Sequence, residues 1–235
     1  MKIYKPIITE FSYSEKLYQE AEGLFIDRVL STTGQEGVAR VALSGGITPL
    51  PLYHKLAINP VIDWDRIELY QTDERYVAPD NKDSNQLHIQ NNIREALPEI
   101  KEINFFNTQL PIDMTIKEYS EKLDTLDGNF FDFTVLGIGA DGHIASLFPG
   151  GKYLKHQEET VIQTSAPRDF AIGKRISLTV ESILSSSEIL ILLVGDNKQE
   201  ALQEMLEGKK PATQFPAKFL LAHPNVRIYC CFEGN

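Results

Sequence analysis

Apolar residues along the chain fall into two spacings. Short runs at Val38 to Leu43, Ile67 to Gln71, Phe131 to Leu136 and Ile189 to Val194 are too brief for helices and read as strands. Between the first of these and the N-terminus, Leu17, Ala21, Leu24, Phe25 and Val29 repeat at helical spacing. They form one stripe of a helix that Ser14 caps and that runs to about Leu30. Further helices are expected from Pro49, near Leu87 to Ala96, over Ile116 to Leu126 and in the segment GDNKQEALQEML from Gly195. Short strands at Ile103 to Phe106, Thr160 to Thr164, Ile176 to Val180 and Arg227 to Phe232 complete the pattern. Alternating strands and helices predict an α/β fold with a doubly wound, mostly parallel sheet. No linker, repeat or low-complexity tract interrupts residues 1–235, so one domain is expected. In such sheets ligands bind beyond the carboxyl ends of the strands, which directs attention to the loops there.

Composition narrows the classes. The 235 residues are 42% hydrophobic and 24% charged, enough for a globular core. The formal net charge of −10 argues against a nucleic-acid partner, whose phosphates need clustered Lys and Arg. A small anion can still bind if cations gather locally. No apolar run approaches the roughly 20 residues that span a bilayer, so no membrane association is expected. The start, MKIYKPIITEF, has no apolar stretch followed by a small-residue cleavage site and does not read as a signal peptide. Cys230 and Cys231 are adjacent and should point to opposite faces of a strand. They offer neither metal spacing nor a disulfide framework, which suits a reducing cytoplasm. His54, His88, His156 and His223 lack metal-ligand spacing and read as surface or packing residues. No metal and no cofactor are expected.

The stretch VLGIGADGHIASLFPGG, Val135 to Gly151, follows a strand and spells G-x-G-x-x-G at Gly137, Gly139 and Gly142. A dinucleotide loop needs its last glycine to open a full helix against the pyrophosphate. Here Pro149, Gly150 and Gly151 break the chain after HIASLF, under two turns later. The glycines instead allow close backbone approach or positive φ, placing Asp141 and His143 at a strand end. SGGITP, Ser44 to Pro49, is a strand-to-helix turn with Thr48 expected at the N-cap and Pro49 at the first helical position. Its glycines bring free N–H groups to a helix's positive end, a candidate phosphate cradle. Asp73, Glu74 and Arg75 stand just past another strand end, in a polar loop. Arg175 heads RISLTV, and Lys198 lies in the first turn of a helix, where the dipole disfavours a cation unless an anion is shared.

Together ALSGGITPLPLY, YQTDERYVAPDNKDSNQ, GIGADGHIASLFPG, RISLT and VGDNK resemble the 6-phosphogluconolactonase family, in its order and over most of the chain. The resemblance implies the three-layer α/β fold shared with hexosamine-6-phosphate isomerase/deaminases. It implies hydrolysis of 6-phosphoglucono-δ-lactone, with His143 as general base and Asp141 beside it. Ser44, Gly45, Gly46, Arg175 and Lys198 would hold the phosphate and Arg75 would contact the substrate, with Thr48, Asp73 and Gly139 in the same site. One stretch departs. The family usually has a proline-rich run with a Lys before the RIS strand, whereas this chain reads SAPRDFAIGKRISLT, so no contacts carry over for Ala166 to Lys174.

The related deaminases usually continue GIGADGHIA with FNEP, whose Glu serves ring opening, and carry DEYVG where this chain has DERYV. The SLFP reading and the inserted Arg favour the lactonase over the deaminase. A serine hydrolase using Ser44 or Ser146 lacks G-x-S-x-G, and Ser146 reads as a helix-turn hydroxyl. A non-catalytic sugar-phosphate sensor would need a DNA-binding segment, for which no residues remain. The expected assembly is a monomer or homodimer.

Overall fold

In the computed structural model of the chain, residues 2–126, 128–155 and 158–232 are described. Ten strands and six α-helices follow one another as β1 (Ile7–Glu10), α1 (Ser14–Glu36), β2 (Ala39–Leu43), α2 (Leu50–Ala57), β3 (Ile67–Gln71), β4 (Asp73–Arg75), α3 (Asn85–Asn92), β5 (Glu102–Asn104), α4 (Ile112–Asp124), β6 (Phe131–Leu136), β7 (Val161–Ser165), β8 (Lys174–Leu178), α5 (Val180–Leu184), β9 (Ser186–Val194), α6 (Gln199–Glu207) and β10 (Val226–Cys231). Seven strands form one sheet in the order β1-β10-β9-β6-β2-β3-β5, every neighbouring pair parallel. β4, β8 and β7 form a second, antiparallel sheet of three strands.

Period-two alternation sorts the core. Along β9, Ile189, Ile191 and Leu193 enter one apolar cluster, while Leu190 and Leu192 enter the other. Cys230 and Cys231 likewise face opposite clusters, as adjacency requires. One cluster is closed by α1, α2 and α3 through Leu17, Phe25, Leu52, Leu56 and Ile89. The other is closed by α4, α5 and α6 through Tyr119, Leu123, Ile183 and Met205, together with Val161, Ile176 and Leu178 of the small sheet. Helices on both faces of a parallel sheet make the three layers expected. Among the described residues no helix is long and apolar enough to cross a membrane.

Several boundaries differ from the sequence reading. α1 continues past Leu30 to Glu36, because Gly37 at φ +87 supplies the left-handed cap, its N–H bonding Thr33 O. Arg66 then donates to the carbonyls of Thr33 and Gly37 at the end of the helix. The residue preceding this helix is Tyr13, not a capping Ser14. Thr48 is not the N-cap of α2 either. Pro49 holds that place, and the Thr48 carbonyl accepts the Tyr18 hydroxyl at 2.7 Å. The sequence pattern does not predict β1, β4 or α5: the first is an edge strand with both isoleucines exposed, the second is three charged residues, and the third is a single turn and a half. β7 and β8 lie one to two residues from their expected positions, and Val180 begins α5 rather than ending a strand.

Candidate active site

The carboxyl ends of β2, β3 and β6 open onto a cavity of about 230 Å³. Its walls come from the turn after β2 (Ser44 to Pro49), from Asp73 and Arg75 of β4, from the loop after β6, and from Phe170, Arg175 and Lys198. Every site residue expected from the sequence lines this cavity except Asp141, which stands behind His143.

After β6 the chain makes turns, not a helix. Asp141 Oδ1 accepts the backbone N–H of His143 at 3.1 Å, so the side chain turns back on its own backbone two residues on. The same oxygen meets His143 Nδ1 at 2.5 Å. The chain reverses tightly enough that Gly139 N–H bonds the His143 carbonyl at 2.9 Å. A Cβ on Gly139 would lie 2.1 Å from His143 Nδ1 and 2.6 Å from Asp141 Oδ1, so only glycine permits the pair. The close approach that glycine serves here is to this imidazole. Burial pushes the Asp141 carboxyl up, but the hydrogen bond and charge of His143 outweigh it and hold the carboxyl below the usual aspartate range. In the neutral tautomer that donates Nδ1–H to an ionised Asp141, Nε2 is the free acceptor nitrogen of the ring. The imidazole packs against Phe148, with ring centroids 4.9 Å apart.

Opposite this pair, β4 and β8 place Arg75 and Arg175 as direct cross-strand partners. Like charges in that position repel. Burial, and after it the charge of Arg75, pull the Arg175 guanidinium below its ordinary value. Arg75 Nη1 donates to Asp83 O at 2.8 Å and Arg175 Nε to Ile172 O at 3.0 Å, leaving each guanidinium with further donors. Lys198, at the N-terminal end of α6, bonds Ile138 O at 2.9 Å; burial lowers its ammonium, and the Asp141 charge opposes that. Three cations thus meet one cavity in an acidic protein.

The turn after β2 is shaped by a residue that sequence reasoning missed. Asn85, the first residue of α3, donates Nδ2 to Asp73 O at 2.9 Å and leaves Oδ1 without a partner. A Cβ on Gly45 would fall 2.0 Å from its amide, which is why position 45 is glycine. Ser44 Oγ is also buried without a partner, a donor held at the cavity wall. Glu74 is almost fully buried beneath. It accepts Gln71 Nε2, Ser84 Oγ and the N–H groups of Arg75, Asn85 and Gln86. Burial raises its carboxyl against those hydrogen bonds. Glu74 therefore ties β4 to the start of α3.

Ser146 is in a turn, not a helix, and its hydroxyl donates to Asp73 Oδ2 at 2.6 Å. That contact corrects the helix-turn reading: the hydroxyl fixes a carboxylate. Of the other histidines, His54 is exposed and His88 Nε2 lies 2.7 Å from Lys82 O. His223 is buried, bonding Ser186 O through Nε2 and accepting the Asn225 N–H at Nδ1. His156 lies outside the described residues. Among the described residues no group of three or more His, Cys, Asp or Glu could hold a metal ion. Phe170, from the stretch to which the sequence assigns no contacts, also lines the cavity.

A family model described as glucosamine-6-phosphate isomerases/6-phosphogluconolactonase matches residues 12–229. A probable 6-phosphogluconolactonase of Dictyostelium discoideum is 29% identical over 211 residues, which cover 87% of this chain and 89% of that one. A 6-phosphogluconolactonase of Synechocystis is 31% identical over 207 residues, 82% of each chain. The crystal structure of a 6-phosphogluconolactonase from Shewanella baltica superposes with a TM-score of 0.85 at 25% identity, over 98% of this chain and 100% of that one.

Proposed function

Because the chain belongs to the glucosamine-6-phosphate isomerase/6-phosphogluconolactonase family, we propose that it hydrolyses 6-phosphoglucono-δ-lactone to 6-phosphogluconate, the lactone-opening step of the oxidative pentose phosphate pathway. The observation that carries this reading is that the Asp141–His143 pair and the Arg75–Arg175 pair open onto one cavity. A base and cationic groups on the walls of one cavity fit a phosphorylated ester.

A lactone carbonyl is activated enough for water to attack without a covalent enzyme intermediate. His143 Nε2 takes a proton from water as the water oxygen bonds to C1. The carbonyl π pair moves onto oxygen, and loop N–H groups or Arg75 stabilise the developing oxyanion. Collapse breaks the bond from C1 to the ring oxygen, which leaves with the proton held on the imidazolium. Asp141 keeps Nδ1–H in place and supports the cationic ring between the two transfers.

The phosphate sits against Ser44, Gly45, Gly46 and Thr48 at the start of α2, with Arg175 and Lys198 supplying charge. Asp73, a carboxylate fixed by Ser146, faces sugar hydroxyls. Gly139 serves by admitting the imidazole. Ser44 is not a nucleophile in this scheme: its Oγ has no base beside it. The buried free thiols of Cys230 and Cys231 suit the reducing cytoplasm.

The competing reading, amino-sugar phosphate ring opening and deamination, meets SLFP where the deaminases carry FNEP, and Phe148 packs on His143 there. One coupled assay separates the two. Enzymatically generated 6-phosphogluconolactone should disappear well above its spontaneous rate, with no ammonia released from glucosamine-6-phosphate. Lactone loss at the spontaneous rate overturns the assignment.

A further inference from the structure

The loop between β7 and β8 is closed by Ala166 N–H on Gly173 O at 2.8 Å and by Phe170 N–H on Pro167 O at 3.1 Å. It carries the exposed Arg168 and Asp169 and turns the Phe170 side chain toward the cavity. The Phe170 ring lies edge-on to His143, with centroids 5.8 Å apart and planes at 78°. It meets Phe148 at 5.3 Å, and the Arg175 guanidinium carbon lies 5.9 Å from its centroid. Among the described residues lining the cavity, Phe170 is the only one with an aromatic carbon ring.

A ring whose centre lies within 5.9 Å of both the proposed base and the proposed phosphate ligand flanks the interval that the substrate must bridge. We propose that Phe170 is a specificity-determining residue, the apolar wall along which the carbon skeleton of the phosphorylated lactone lies between its carbonyl and its phosphate. This rests on the lactonase reading above and extends it to a segment where this chain departs from the family pattern. The chemistry is complementary. A sugar ring in a polar site is held at its hydroxyls and phosphate by charge and hydrogen bonds, whereas its C–H faces need an apolar surface. A flat, rigid ring supplies that surface at little entropic cost.

The test compares wild type with Phe170→Ala, Phe170→Leu and Phe170→Tyr, using lactone hydrolysis and calorimetric binding of two probes, 6-phosphogluconate and inorganic phosphate. Leucine keeps apolar bulk in the loop without a flat face, and thermal melting checks that each variant is folded. Phe170→Ala should raise KM and weaken 6-phosphogluconate roughly 3- to 10-fold, the range of an aromatic contact. Its kcat and its affinity for inorganic phosphate should stay near wild type. Phe170→Tyr should restore KM, and Phe170→Leu should not. Equal loss of both probes would mean that Phe170 acts only by holding Arg175, and would overturn the proposal. A fall in kcat with KM unchanged would mean that it acts only on His143, and would overturn the proposal equally. An unaffected Phe170→Ala in an active enzyme sinks this proposal alone, whereas an inactive wild type sinks the lactonase reading beneath it.

Discussion

His143 Nδ1 and Asp141 Oδ1 lie 2.5 Å apart, and the oxygen that holds the ring also accepts the histidine's own backbone N–H. Two residues of sequence separation thus build both the loop and the proposed base. Replacing His143 by Ala should lower kcat roughly 10²- to 10⁴-fold, the range of general-base assistance, with KM little changed. Asp141→Asn should fall within the same range, because the amide can present a donor to Nδ1 and favour the wrong tautomer. Steady-state kinetics on freshly generated lactone reads both, and near-normal turnover by His143→Ala rules out its assigned role.

The same pair predicts an acid-side stability effect. The Asp141 carboxyl is held below its ordinary value in the folded chain. Its contribution is therefore present above the unfolded aspartate pKa, near 3.9, and is lost as pH falls through the lower folded value. Urea unfolding of wild type and Asp141→Asn should differ at neutral pH and converge in strong acid. Curves that diverge on acidification would contradict the assignment.

Gly139→Ala tests the crowding directly. Its methyl would sit 2.1 Å from His143 Nδ1, so the ring or the loop must move. Overpacking of this kind costs roughly 1–3 kcal/mol. The expected phenotype is a lower melting temperature with kcat reduced as in Asp141→Asn. A fully active variant would show that the imidazole need not lie where it does.

Arg175→Lys keeps the charge but loses the planar fork. KM should rise about 10- to 100-fold, in line with losing a charge-assisted hydrogen bond, while kcat at saturation changes much less. If kcat falls and KM holds, Arg175 belongs with the reacting carbonyl and not with the phosphate.

Glu74→Gln keeps shape but replaces one acceptor oxygen by an NH₂ group that faces existing donors. A mismatch of that kind in a buried network costs roughly 1–3 kcal/mol, measurable by denaturant unfolding. Because Glu74 secures the start of α3, and with it Asn85 beneath Gly45, KM should rise as stability falls.

What the sequence makes legible are features whose physics is local. The long apolar strands β6 and β9 announce themselves by composition, and the Asp141-Gly142-His143 loop closes on its own atoms. β4 does not, because three consecutive charged residues read as solvated until Glu74 is seen with its donors from α3. Ser146 reads as a helix hydroxyl in sequence because its partner, Asp73, is 73 residues away in the chain. Phe170 is invisible for a similar reason: a lone aromatic among Pro, Arg, Asp and Gly has no periodicity, and only the antiparallel pairing of β7 with β8 turns it toward the cavity. Thr48 and Ser14 satisfy a composition rule for caps that neighbouring residues pre-empt.

The facing arginines of β4 and β8 have a practical consequence. Arg75 stands opposite Arg175 across the strands, the carboxylates of Asp73, Glu74 and Asp83 offset part of that repulsion, and an anion held by both guanidinium groups would offset more. Anion occupancy also adds its own mass-action stabilisation. A purification carried out in phosphate would yield a thermally tougher preparation than one in an amine buffer, and the same ions would compete for the proposed phosphate site. Storage buffer and assay buffer therefore pull in opposite directions for this enzyme.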